Sequence, residues 1–166
     1  MILDCLIMTS TFDDLPHTAE SSPFPELYMG LKWSQFRYTN KLHALEKHPK
    51  SGYVVSGVIP ISPYIVWSNK EAEISSVRTG ETFSLISLTT YAAWNENLQL
   101  TITGYHKSCE MHSCSIGLAF GKPQRIVFGW KNLDQIVFEP FGGSPRSDSG
   151  RSVSSLHFVI SQLTIS

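Results

Sequence analysis

The chain has 166 residues, with 13 Lys and Arg against 14 Asp and Glu and a formal net charge of −1. Its cations are scattered, which excludes the basic footprint of a nucleic-acid or anionic-membrane binder. Charged residues make up only 16% of the chain and aromatics 11%, against about a quarter charged in a typical globular protein, a balance that suits large sheets and apolar or stacking ligands.

One domain spanning residues 1–166 is expected, because this length buries a core without staples. The start, MILDCLIMTS, is apolar but short and interrupted by Asp4. It lacks a basic leader and a small-residue cleavage site, and it is too short to cross a bilayer, so it reads as a first strand. With Met1 taken as the native start, the expected location is cytoplasmic. Three cysteines, Cys5, Cys109 and Cys114, make no disulfide framework and fit a reducing compartment.

The next stretch, PHTAESSPFPELYMG, contains three prolines and reads as a surface loop or extended crossover. Beyond it, no apolar pattern keeps a helical period for three turns. Strand-like segments recur at Gly52–Val58, Phe83–Thr89, Leu98–Gly104, Ser115–Phe120, Arg125–Trp130, Gln135–Phe138 and Leu156–Ile165, punctuated by Gly, Pro, Asn and Ser. This spacing predicts an all-β fold, an antiparallel β-sandwich or jelly roll. In NLQLTITGY, Leu98, Leu100 and Ile102 fall on one face and Gln99, Thr101 and Thr103 on the other, with a turn expected near Lys107 and Ser108. The stretch EPFGGSPRSDSGRSVSS reads as a mobile loop long enough to cover a binding face. At the end of the chain, the apolar beat of Leu156, Phe158 and Ile160 jumps one position to Leu163 and Ile165, which predicts a β-bulge at Ser161 and Gln162.

Few constellations carry chemistry. His106, Cys109, His112 and Cys114 in HKSCEMHSC are metal-capable types, but in a strand Cys109 and Cys114 fall on opposite faces, roughly 16 Å apart, so ordinary hairpin residues are expected and no metal. His17, His43, His48 and His157 titrate near neutrality and are each candidate acids or bases, with only His157 on an expected strand. No nucleophile elbow, phosphate loop or dinucleotide fingerprint occurs. Glycines and Arg146 in FGGSPRSDSG precede no helix and make a poor phosphate cradle.

Aromatic and amide residues form the richer set. Trp33, Phe36 and Tyr38 alternate in LKWSQFRYTN, Tyr64 and Trp67 share SPYIVWSN, and Tyr91 and Trp94 lead into Asn95. They read either as sandwich core and rim or as a concave pocket whose rings hold a ligand while Asn95, Gln35 or a hydroxyl orients it.

The segments TFDDLP, GLKWSQFRY, SGYVVSG, YAAWNENLQLTITGY and FVISQLTI resemble, in order, the landmarks of a family of mostly secreted fungal and bacterial β-sandwich proteins. That family's pattern has a Phe-Asp-Asp-Leu start, Gly-Leu-x-Trp-Ser-x-Phe, Ala-Ala-Trp-Asn and a closing Leu-Asp-Asn-Leu strand, and it is similar to jelly-roll carbohydrate-binding modules. Such modules often hold a structural calcium between acids near the first and last strands. Here Asp13 and Asp14 match the first half, whereas Ser161 and Gln162 replace the closing Asp-Asn. The resemblance therefore implies a lost carboxylate and, with it, a lost calcium site.

Small cofactor-free proteins of this kind occur in fungal natural-product biosynthesis. The resemblance accordingly implies a cofactor-independent cyclase or isomerase, Diels-Alderase-like, that folds an apolar polyketide or terpenoid substrate by orientation and a few hydrogen bonds. On that reading Asn95 and Tyr64 are catalytic, polarising a carbonyl, and Tyr38, Trp67 and Trp94 bind substrate. The alternative is a non-catalytic, lectin-like carbohydrate-binding module with exposed Trp and Tyr in an open row. A structural or interaction protein would show neither arrangement. Edge strands of a sandwich can also pair two copies into a homodimer.

Overall fold

The computed structural model describes residues 6–55, 62–149 and 155–166. In chain order it has five short strands, β1 (Met8–Ser10), β2 (Ser21–Pro23), β3 (Leu27–Tyr28), β4 (Leu31–Ser34) and β5 (Arg37–Asn40). Two short helices follow, α1 (Lys41–Lys47) and α2 (Gly52–Val55). The remaining strands are β6 (Tyr64–Ser68), β7 (Ala72–Ser76), β8 (Phe83–Ala92), β9 (Asn95–Glu96), β10 (Leu98–His106), β11 (Cys109–Leu118), β12 (Gln124–Leu133), β13 (Gln135–Phe141), β14 (Ser144–Pro145) and β15 (Phe158–Ile165).

The fold is an all-β antiparallel sandwich. One sheet runs β12-β8-β15-β6-β5-β2, with β1 also on β15, and the facing sheet runs β11-β10-β13-β7-β4-β3. Leu98, Leu100 and Ile102 point inward from β10, as their alternation predicts, and meet Leu85, Leu88, Phe158, Ile160 and Leu163 from the opposite sheet. Burial of such side chains at about 25 cal/mol per Å² of apolar surface drives the two layers together. At one end the core is aromatic, with Phe24 and Trp33 ring centres 4.6 Å apart and Phe36 5.1 Å from Trp33.

The terminal strand has its irregularity where the apolar beat predicts it. Against β8, Ile160 pairs with Thr90 and Gln162 with Thr89, leaving Ser161 as the extra residue. The bulge also separates two pairings on the other edge of β15. Phe158–Ile160 pair with β6, and Leu163–Ile165 pair with β1. The expected turn is present as well, with Lys107 and Ser108 both left-handed at φ 49° and 62°, the conformation of a tight two-residue hairpin.

Several expectations need correction. Gly52–Val55 is a helical turn and not the start of a strand; Ser56–Val58 lie outside the described residues. Its Gly52 N–H donates to the Ala93 carbonyl oxygen at 2.7 Å, and a Cβ there would stand 2.5 Å from the Ala92 oxygen, so the segment docks on a sheet face by close backbone approach. The proline-rich crossover contains β2 and β3, with Pro23 at the end of a short outer strand where its missing N–H is tolerated.

The described part of the Gly/Ser-rich loop is pinned. Ser144–Pro145 pair with β9, and Arg146 bonds Glu96 and Asp148 while its guanidinium lies 4.7 Å from the Phe120 ring centre. In β11 a register shift leaves Met111 as the extra residue, so Cys109 pairs with His106 and Cys114 with Ile102. That inserted residue puts the two cysteines on one face, not opposite ones. Both are free thiols, and burial raises the Cys114 pKa.

Candidate functional site

The outer face of the seven-stranded sheet is where buried and open surface meet. Strand register aligns Tyr91 of β8, Val159 of β15, Trp67 of β6 and Arg37 of β5 in one row across the sheet. Pro23 of β2 continues it, opposite Arg37. A second row joins Ile65, Thr39 and Ser21. Part of this face is covered. Ala44 of α1 and Tyr53 of α2 pack with Ile65, Tyr91, Ala93, Trp94 and Val159 into a second apolar cluster, and Trp67 lies half-buried at its margin.

The sequence builds the cover locally. Asn40 caps α1, its side-chain oxygen accepting the Leu42 N–H at 2.9 Å, and Lys41-Leu-His-Ala-Leu-Glu-Lys47 are mostly good helix formers. The helix closes with the His48 N–H on the Ala44 carbonyl oxygen. This carries His43 and His48 over the sheet face.

Two clefts, both open to solvent, meet at Trp67. The smaller, about 180 Å³, lies between the helices and the sheet and is lined by Ser21, Thr39, His43, His48, Tyr53, Trp67, Trp94 and His157. Its rings touch in sequence: His43 and His48 are 6.5 Å apart, His48 and Trp94 5.5 Å, Tyr53 and Trp94 5.8 Å. His157 stacks obliquely on Trp67 at 4.6 Å, and its Nδ1 bonds the Ser155 hydroxyl. Trp67 Nε1–H donates to Thr39 Oγ1 at 2.9 Å, which fixes the indole in its plane.

The larger cleft, about 330 Å³, is lined by Trp67, Pro23, Phe24, Trp33 and Phe36, with Gln35, Arg37, Asn69 and Lys70 supplying polar groups. Ser68 ties its loops together. Its hydroxyl donates to the Gln35 carbonyl oxygen at 2.8 Å and lies 3.5 Å from the Lys70 N–H. Gln35 is held at φ 68°, a left-handed conformation uncommon outside glycine.

The five residues expected to form one pocket are dispersed. Tyr38 and Tyr64 are edge-to-face at 5.4 Å inside the main core, and the Tyr38 hydroxyl donates to the Pro16 carbonyl oxygen at 2.8 Å. Asn95 is 0% exposed; its amide donates to the Gly142 carbonyl oxygen at 3.2 Å and its oxygen accepts the Ser155 N–H at 3.1 Å. Trp67 and Trp94 both line the smaller cleft. Gln35 belongs to the other one, beside Trp67.

His43, His48 and His157, read singly as candidate acids or bases, converge on the smaller cleft, whereas His17 lines neither. Sequence reasoning missed Arg37, Asn69, Lys70, Ser21 and Thr39. The odd-numbered parity of Arg37 and Thr39 beside Tyr38 was the available signal, since it sets them on the face opposite a core tyrosine.

Neither cleft is lined by Asp or Glu, so among the described residues they lack the carboxylate pair that glycoside hydrolysis requires. Among those residues no three His, Cys, Asp or Glu side chains gather as a metal site. Asp14 accepts the Tyr28 hydroxyl at 2.5 Å, and Asp13 accepts the Thr11 hydroxyl at 3.4 Å. An indole edge-fixed by a hydrogen bond, with amides, cations and imidazoles around it, is equipped to stack on a ring and hydrogen-bond its substituents.

No family model matches the chain, and no curated protein matches it in sequence. Among solved structures, one of TmCBM61 in complex with beta-1,4-galactotriose is similar at 10% sequence identity and a TM-score of 0.40, covering 84% of this chain and 90% of that one.

Proposed function

We propose that this protein is a non-catalytic, lectin-like carbohydrate-binding module that stacks a sugar ring on Trp67. The observation that carries the reading is the placement of that indole: half-buried on the outer face of a sheet, at the meeting point of two open clefts whose rims are amides, hydroxyls, imidazoles and cations. Sugars present an apolar ring face and a periphery of hydroxyls, which this combination of one flat ring and many hydrogen-bonding groups complements. The absence of carboxylates from both linings favours binding over hydrolysis.

The cyclase reading asks for a closed apolar pocket in which Asn95, Tyr64, Tyr38, Trp67 and Trp94 act together. The burial of Tyr38, Tyr64 and Asn95 in structural contacts, away from the two clefts, supports the binding module over the cyclase. A thermal-shift and tryptophan-fluorescence screen separates them. At a hundred times its dissociation constant a native-state ligand stabilises by about 2.7 kcal/mol, well within reach of such a screen. Oligosaccharides are expected to raise the melting temperature and to perturb Trp67 emission. Stabilisation by polyketide or terpenoid compounds with no response to any saccharide would overturn the proposal.

A further inference from the structure

We infer that the sugar bound here is anionic, its carboxylate or sulfate group held in the larger cleft by Arg37 and Lys70. The inference rests on the carbohydrate-binding reading of Trp67 and specifies the class of saccharide.

The charge of the cleft linings is one-sided although that of the chain is not. The whole sequence has 14 acidic and 13 basic residues, yet the two linings contain cations, imidazoles, amides and hydroxyls with no Asp or Glu. Among the described residues Lys32, Lys47, Arg78 and Arg146 each have a carboxylate partner, whereas Arg37 and Lys70, like Lys50, Lys107, Lys122, Arg125 and Lys131, form no ion pair. What sets Arg37 and Lys70 apart is their place together in a cleft lined by no carboxylate. Two cations left without counter-charges beside an aromatic platform are complementary to an anionic ligand.

The cleft is also a built one. Arg37 is the direct cross-strand neighbour of Trp67, so both side chains leave the same face of the sheet with Cβ atoms about 5 Å apart. A ring stacked on the indole thus has its rim within reach of a guanidinium, whose forked donors match the paired oxygens of carboxylate or sulfate. Lys70 lines the same cleft, and Ser68, 1% exposed, anchors its loop and that of Gln35 to one buried hydroxyl. Asn69 and Gln35 remain to hydrogen-bond the sugar hydroxyls.

Isothermal titration of the full chain with three galactose-backbone oligosaccharides of equal length, one neutral, one uronate and one sulfated, tests this. At low salt at least one charged form is expected to bind about tenfold tighter than the neutral one, the worth of a charge-assisted hydrogen-bonded pair, and the advantage is expected to shrink as salt rises. The stronger of the two charged ligands identifies the anion. Arg37→Gln with Lys70→Gln should bring charged ligands down to the affinity of the neutral one, while the charge-preserving Arg37→Lys with Lys70→Arg keeps a salt-dependent preference; thermal melts establish that both variants fold.

Equal affinity for all three saccharides, or a preference that survives the double Gln variant, overturns the anionic assignment. If neutral binding is nevertheless lost in Trp67→Ala, the carbohydrate-binding reading stands without it. Binding of none of the three overturns the anionic assignment, and it overturns the carbohydrate-binding reading as well if no saccharide of any backbone raises the melting temperature.

Discussion

Trp67 and His157 stack with ring centres 4.6 Å apart and planes inclined at 41°, although one belongs to β6 and the other precedes β15. The contact exists because Val159, two residues after His157, pairs directly with Trp67, which brings the start of β15 alongside the indole. With Thr39 holding Nε1 and His157 against the ring, the Trp67 indole is fixed in orientation, as the proposed stacking platform requires. Such preorganisation reduces the ordering cost of binding.

Replacing Trp67 with Ala should therefore lower saccharide affinity by tenfold or more while the protein still folds, since this side chain sits at the margin of its cluster and not in the main core. Titration calorimetry together with circular dichroism checks it. Unchanged affinity in a folded variant would remove the aromatic platform from the account.

Asn95 offers the opposite test. It is buried, and its amide joins the Gly142 carbonyl to the Ser155 N–H, so Asn95→Ala leaves both without that partner. A loss of about 1–2 kcal/mol in urea unfolding is expected, the ordinary worth of lost hydrogen bonds, because Gly142 is exposed and Ser155 half-buried, so that water can take up part of what Asn95 gave. Ligand affinity measured well below the melting temperature should change little. A large affinity loss with unaltered stability would instead return Asn95 to a role at the ligand.

Ser68→Ala should affect both quantities modestly. Removing the hydroxyl frees the Gln35 carbonyl and loosens the loop of Lys70, at a cost of about 1–2 kcal/mol of stability. Because Gln35 and Lys70 line the larger cleft, saccharide binding should weaken several-fold. Denaturant titration and calorimetry on the same preparation separate the two effects.

Alkaline pH should destabilise the fold. Burial pushes the Tyr91 phenol well above its ordinary value, and burial followed by the Asp14 carboxylate does the same for Tyr28. The folded state then holds these protons more tightly than the unfolded chain. Stability is intact below the ordinary phenol value of about 10 and is lost progressively as pH rises beyond it. Urea unfolding at increasing pH should show the decline, and Tyr91→Phe should flatten it; an unaltered slope in that variant would reject the burial of Tyr91 as its cause.

What the sequence determined by itself was whatever repeats locally along the chain. Leu98, Leu100 and Ile102 declare an inward face through alternation, Lys107 and Ser108 mark a hairpin, and the slip from Ile160 to Leu163 announces the bulge at Ser161. All three follow from the two-residue period of a strand, which needs no knowledge of the rest of the molecule. The short α1 escaped because seven residues give too few turns for a helical period to emerge.

The site was decided by tertiary structure. Tyr64 and Trp67 lie three apart on β6, and their alternation says only that they face opposite ways. Tyr64 enters the main core because the second sheet packs on its side, and Trp67 stays half-open because α1 and α2 cover the other side only as far as its margin. The clefts likewise gather His43 and His48 from α1 and its end with His157 from the approach to β15. Which side of a sheet is covered, and how far, depends on burial contributed by segments distant in the chain, and no local pattern encodes it.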